Sequence, residues 1–217
     1  MVFNDSVENI FSIQIFKFNV GSLDDNLKKA IGLLNFVPSS DNFMSFGENI
    51  LLQPSFANLK VRIYNNLKKF LYEVICVDEN VKFKISDSWI YVTKPNGESH
   101  FHSHGNSFLS GVVYLNVNEG DCITFKNPLY SNSASTNHMP LSIFPQLKNN
   151  KMFYTFFPKN GDSIIFHSTV EHRVEKNNSK NDRVSLAFNV VPTGDISKLT
   201  GSKLSYNEIG VETIDCI

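Results

Sequence analysis

Apolar and polar positions along this chain keep two different rhythms, and the change falls near Lys82. Before it, helical spacing dominates. Ser12 to Val20 is an exception, an Ile- and Phe-rich run that predicts a β-strand. A helix is predicted from Ser22, with Ser22 as N-cap and Asp24 and Asp25 favouring its first turn. Leu27, Ile31 and Leu34 carry its apolar face, and Pro38 with the following Ser-Asp-Asn run ends it. A longer helix is predicted from near Pro54. Phe56, Leu59, Ile63, Leu67, Phe70, Leu71 and Val74 recur at steps of three and four, while Lys60, Lys68 and Lys69 lie off that stripe. Such a helix packs on the outside of a sheet.

From Lys82 the helical period is absent. Short β-type runs (KFKISDSWIYVT, SFLSGVVYLNV, DCITFK, KMFYTFF, DSIIFH and RVSLAFNVV) alternate with Asn, Gly, Pro and Ser breaks. Helices followed by many short strands predict a mainly β protein: a jelly roll or β-sandwich with the N-terminal helices packed on one sheet. No repeat or linker divides the chain. The expectation is one domain, with residues 1–81 as helical support, 82–192 as jelly-roll core and 193–217 as a loose C-terminal extension. Asn127 to Asn150 is a long irregular segment of the kind that serves as a functional lid.

Composition narrows the class. The 217 residues carry a formal net charge of -1 and no long run of one sign, so neither nucleic acid nor a membrane surface is an expected partner. Nineteen phenylalanines can supply a substantial core. Cys76, Cys122 and Cys216 are far apart and form no CxxC, which argues for a reducing compartment and against a thiolate zinc site. MVFNDSVENIF has acids where a signal peptide needs bases, and no apolar run approaches bilayer length. The expected location is the cytoplasm. The sequence leaves a homodimer open and does not set the oligomeric state.

The chemistry concentrates in histidine. All six histidines lie between His100 and His172, three of them in the run His100-Phe101-His102-Ser103-His104. Read as a strand, this run puts His100, His102, His104 and Asn106 on one face, and the same parity reaches Ser110 and Tyr114. Imidazoles at i and i+2 can hold neighbouring positions on one metal ion. His172 is the best third ligand, because it lies on a second strand-like segment. His138 in the long loop reads as exposed, and His167 as structural or supporting. Glu171 should face away from a metal held by its neighbour His172. Three neutral imidazoles with open positions suit Fe(II) as well as zinc.

Arg183 begins a clean alternation. Arg183, Ser185, Ala187 and Asn189 share one face; Val184, Leu186, Phe188 and Val190 share the other. The apolar face should pack on the helices. The small polar face is what a ligand cavity needs. Arg183 with Ser185 can grip a carboxylate through a bidentate fork and a hydroxyl, and Tyr114 can add a second hydroxyl.

Together, Trp89, the HxH, SGVVYLN, GDSIIFHSTVEHRV and RVSLAFN resemble the 2-oxoglutarate- and Fe(II)-dependent oxygenases, in a poorly characterised branch found in bacteria and phages. The resemblance spans about Asp87 to Pro192. It implies a double-stranded β-helix, cupin-like, with Fe(II) and the cosubstrate 2-oxoglutarate at its mouth. His172 would match the distal metal ligand and Arg183, with Ser185, the clamp on the cosubstrate's far carboxylate. The implied reaction consumes O2, releases succinate and oxidises a C–H bond of a substrate that the sequence does not identify. The chain departs from the pattern at His104, where the superfamily carries an acid. Either His104 completes an all-histidine triad with His102 and His172, or His104-Gly105-Asn106 is the motif with Asn106 a weak ligand or none, or the site holds a metal other than iron. Asn106, Ser110 and Asn189 are candidates for supporting positions. Two other readings stay open: a non-catalytic jelly-roll or virion-associated protein that keeps the metal for structure or ligand capture, and a three-histidine cupin-type dioxygenase in which Arg183 binds the substrate itself.

Overall fold

The computed structural model describes residues 12–21, 23–47, 49–128 and 152–196, with the backbone of 203–204. The N-terminal third forms β1 (Ile15–Asn19), α1 (Asp25–Gly32), a hairpin of β2 (Phe36–Ser39) and β3 (Asn42–Ser45), and α2 (Ala57–Lys68). Two short 3-10 turns, Ile50–Leu52 and Pro54–Phe56, lead into α2, and its end widens into a π-helical turn, Lys69–Val74. The predicted Ser22 cap falls outside the described residues. α1 is capped instead by Asp24, whose carboxylate accepts from the Leu27 backbone N–H at 2.7 Å. Pro38 does not merely end that helix. It sits in β2, which pairs with β3 through a tight turn with Ser40 at φ 52°. The hairpin escaped the sequence reading because FVPS and NFMS are too short to show alternation.

The remaining strands are β4 (Lys82–Thr93), β5 (Leu109–Asn116), β6 (Ile123–Lys126), β7 (Phe153–Phe156), β8 (Asp162–His167), β9 (His172–Val174), β10 (Arg183–Asp195) and β11 (Lys203–Leu204). They make a large sheet of order β1-β8-β5-β10-β4-β3-β2, with β11 on the end of β10, and a small sheet of order β7-β6-β9. All described pairings are antiparallel. β10, predicted to stop at Val191, runs on to Asp195; Thr193 still pairs with Lys82, and Gly194 and Asp195 pair with β11. The loop expected at 127–150, with His138, lies outside the described residues from 129 onward.

Two apolar layers hold the sheets. On the outer face of the large sheet, Leu186, Phe188 and Val190 pack with Leu59, Ile63, Leu67 and Phe70 of the helical segment, as the alternation from Arg183 predicts. Val74, counted into the helical stripe, is exposed at the frayed π turn. Gly111 of β5 lies against the Phe188 ring, where a Cβ would come within 2.2 Å. Between the sheets a smaller cluster joins Ile123 and Phe125 of β6 to Ile164 and Phe166 of β8. The inner face of β10 joins neither layer, and there the sandwich opens into a cavity.

Candidate metal and cosubstrate site

His102, His104 and His172 converge at the mouth of the sandwich, with one ring nitrogen from each all within 4.8 Å of one another. The route differs from the strand predicted through HFHSH. Only His102 pairs, as an isolated bridge to His172, and Gly105-Asn106 is a turn. Strand parity through the run therefore does not hold. His102 and His104 meet because backbone bonds fix each separately: His102 and His172 exchange N–H···O bonds at 3.0 and 2.9 Å, and the His104 N–H donates to the Ser168 carbonyl at 2.9 Å. Asn106 is exposed in the turn and outside the cluster. His100 is also exposed, and Glu171 turns to Lys126 at 3.0 Å, away from the histidines.

The imidazoles are prepared as ligands. His102 Nδ1 lies 2.8 Å from the His100 carbonyl oxygen, and His172 Nδ1 3.0 Å from that of Val170. A carbonyl only accepts, so both Nδ1 atoms carry the proton and both Nε2 lone pairs are free. Burial pushes the His172 pKa down to about 3, aided by His102 and His104 and partly offset by the Val170 carbonyl. His104 is lowered by burial and by His102, with Asp87 acting in the opposite direction. Neutral imidazole is the form that coordinates. Three such nitrogens with open positions fit a divalent transition metal, Fe(II) included.

The second half of the site follows from strand register. On β10, Ser185 lies opposite Tyr91 of β4 and Tyr114 of β5; Ala187 opposite Trp89 and Val112; Asn189 opposite Asp87 and Ser110. Alternate side chains from three strands thus floor one cavity of about 340 Å³, which His102, His104, His172, Arg183, Ser185 and Tyr114 all line. The Tyr114 hydroxyl is buried with no partner among the described residues. Burial raises its pKa, against an opposing pull from Arg183. A buried hydroxyl without a bond is costly unless a ligand completes it.

Arg183 is inward-facing and ion-paired. Its Nη1 donates to Asp121 Oδ1 at 3.0 Å and its Nη2 to the Glu175 carbonyl at 3.2 Å, with both side chains 2–3 % exposed. Three of its five N–H donors have no described partner. Sequence reasoning missed Asp121: one acid before a buried strand gives no signal of its partner 62 positions away. It also missed the chain of hydrogen bonds behind His104. Asn189 donates to Asp87 at 2.8 Å and accepts from Ser110 at 2.7 Å; Ser110 and Ser107 each bond the Ser168 hydroxyl at 2.8 Å. Ser168 holds the His104 backbone, so Ser110 and Asn189 reach that histidine through it. His167 points elsewhere, packing against Phe70 and Phe108.

Among the described residues, no helix is long and apolar enough to cross a membrane. Residues 87–189 match a protein-family model described as "Putative 2OG-Fe(II) oxygenase". No curated protein matches the chain. Solved structures share its fold at low identity. HygX from Streptomyces hygroscopicus, with nickel, 2-oxoglutarate and hygromycin B bound, is 13 % identical over 83 % of this chain and 84 % of its own, at a TM-score of 0.57. The viral collagen prolyl hydroxylase of Paramecium Bursaria Chlorella virus-1, as its 2OG complex, is 13 % identical over 81 % and 94 %, at 0.52. A 2OG-Fe(II) oxygenase family oxidoreductase from Burkholderia pseudomallei is 14 % identical over 76 % and 77 %, at 0.53. Residues 87–189 thus match the model of the 2-oxoglutarate- and Fe(II)-dependent oxygenases, and the fold that carries them is the one these solved structures share.

Proposed function

We propose that this oxygenase holds its metal through His102, His104 and His172, with no carboxylate ligand, and binds 2-oxoglutarate between that metal and Arg183. The single observation that carries the reading is the shared cavity: three convergent imidazoles at one end, and at the other a buried guanidinium beside an unpartnered Tyr114 hydroxyl. A structural metal site needs no carboxylate grip next to it.

Each residue has a role that follows from its surroundings. The Nε2 atoms of His102 and His172 face the metal because backbone carbonyls hold their Nδ1 atoms, and His104 adds one ring nitrogen. Arg183, Ser185 and Tyr114 take the far carboxylate of 2-oxoglutarate through charge-assisted hydrogen bonds. The bound metal supplies the O2 chemistry that converts 2-oxoglutarate to succinate and CO2 and oxidises the substrate. Phe125 and Phe166 pack around His172 at ring distances of 5.9 and 4.7 Å and keep water from its inner side. An all-histidine set carries one negative charge fewer than two histidines and a carboxylate. The metal centre is therefore more positive, which favours a dianionic cosubstrate.

The same reading treats the protein as a single domain, with 82–192 as core and 1–81 as support, and locates it in the cytoplasm, where its cysteines stay reduced. Its test is the visible charge-transfer absorption of an Fe(II)–2-oxoglutarate chelate in anaerobic protein. The band is expected in the wild type and lost in Arg183→Ala at matched 2-oxoglutarate. No band in the wild type overturns the function; a band unchanged by Arg183→Ala overturns the clamp.

A further inference from the structure

The inner face of the large sheet carries more apolar surface than its two cores use. Trp89 and Tyr91 alternate on β4, and Met44 of β3 lies opposite Tyr91. All three line the cavity, all three are half-buried, and none belongs to either apolar core cluster. They form a continuous wall. Trp89 stands 6.4 Å, ring to ring, from His104, with the small Ala187 opposite it on β10. Tyr91 is held in place by Asn42, whose Nδ2 donates to the Tyr91 hydroxyl at 3.2 Å and to the Glu98 carbonyl at 3.1 Å. The Trp89 indole N–H makes no hydrogen bond to a described residue.

Free charge is scarce on this side. Besides the three histidines, the described residues lining the cavity include one ionic side chain, Arg183, which Asp121 balances, while Asp87, on the same face of β4 as Trp89, is engaged by the Asn189 amide. Ser39, Thr93 and Ser99 supply the remaining polar groups near the wall. A cation entering here would lose its water, and the nearest acid, Asp87, already accepts from Asn189 and Ser86; an anion would meet no free base beyond the clamp.

We propose that the group oxidised is neutral and flat, an aromatic or similarly planar apolar ring, stacked along Trp89 and Tyr91 with Met44 as side wall and with an edge acceptor reaching the Trp89 N–H. The proposal rests on the reading of His102, His104, His172 and Arg183 as the metal and cosubstrate site, since that assigns the Arg183 end to 2-oxoglutarate and leaves the Trp89 end for substrate. A cavity of about 340 Å³ shared with the cosubstrate admits a ring-sized group; anything larger attached to it stays outside the mouth.

The chain has one tryptophan, so its fluorescence reports on this wall alone. The test titrates full-length protein, with Zn(II) and 2-oxoglutarate present and again with both absent, with benzamide, benzamidinium and benzoate. These three probes share a shape and differ in charge. Benzamide is expected to shift the Trp89 emission saturably and to bind about tenfold or more tighter than either ion, the cost of desolvating a charge without a partner. Tyr91→Ala should lose the benzamide response and Tyr91→Phe should keep it. Met44→Lys should weaken benzamide and strengthen benzoate. Equal affinity for the three probes with Zn(II) and 2-oxoglutarate present, no response to benzamide, or a Met44→Lys protein with unchanged preference under those conditions overturns the proposal. Without metal and cosubstrate benzoate can also take the open Arg183 end, so there the benzamide response and its loss in Tyr91→Ala read the wall by itself; a protein that fails to bind 2-oxoglutarate yet responds to benzamide in this way indicts the proposed function and not this inference.

Discussion

Arg183 donates to Asp121 across 3.0 Å with both side chains almost wholly out of solvent. The clamp proposed for an incoming carboxylate is thus held by a resident carboxylate. The Asp121 oxygens are also fully engaged: Oδ2 accepts from the Asn118 backbone N–H at 2.7 Å and from its side chain at 3.2 Å. Removing this acid leaves a buried, unbalanced guanidinium. Asp121→Ala should lower unfolding free energy by about 3–5 kcal/mol. Asp121→Asn keeps an acceptor and should cost less. Chemical denaturation of the two variants checks the order.

Tyr114 yields a prediction with opposite signs in two assays. Its hydroxyl is buried and unpartnered in the free protein. Tyr114→Phe should therefore leave the free protein as stable or more stable by about 1 kcal/mol, since an unmet buried hydroxyl is a cost. The same change should weaken 2-oxoglutarate binding about tenfold, the worth of a hydrogen bond to a charged group. Thermal melts and calorimetric titration with 2-oxoglutarate read the two effects separately. Unchanged 2-oxoglutarate affinity would remove Tyr114 from the clamp.

Metal binding discriminates His104 from Asn106. His104→Ala should reduce Fe(II) or Mn(II) affinity about a hundredfold or more, because it removes one of three ligands, and Asn106→Ala should leave it unchanged. Ser168→Ala releases Ser107 and Ser110 but keeps the backbone bond to His104, so a smaller loss, about tenfold, is expected there. Equilibrium dialysis against each metal supplies the measurement.

Gly111 tests the packing between the sheet and the helices. Gly111→Ala would drive a methyl into the Phe188 ring, which is buried against the helical layer. A loss of about 1–3 kcal/mol is expected, with the metal site intact.

Much of this architecture was legible because period and burial agree. β4 and β8 begin and end where their sequence runs do, and the alternation from Arg183 sorts the side chains of β10 to helices and cavity as it stands. The helical stripe from Phe56 to Leu71 lies against that sheet for the same reason. Legibility fails where tertiary contacts replace local pattern. The His100–His104 run looks like a strand and is mostly loop, because its backbone bonds go to His172 and Ser168 rather than to a continuous neighbour. The convergence of His102, His104 and His172 was still readable, since two imidazoles one residue apart can converge from a strand or from a tethered loop. The Asp121 partner of Arg183, the Asn189–Ser110–Ser168 chain and the Met44 hairpin were not readable, because each depends on a pairing between distant segments that leaves no local mark.

The central claim is that three histidines hold the metal and that Arg183 with Tyr114 holds the far carboxylate of 2-oxoglutarate. A crystal structure of the full chain with Mn(II) and 2-oxoglutarate, grown without oxygen, tests it most directly. The account predicts Nε2 of His102, His104 and His172 within bonding distance of one ion, and a carboxylate of 2-oxoglutarate on Arg183 and the Tyr114 hydroxyl. A metal ligated without His104, or a 2-oxoglutarate carboxylate seated away from Arg183, would contradict it.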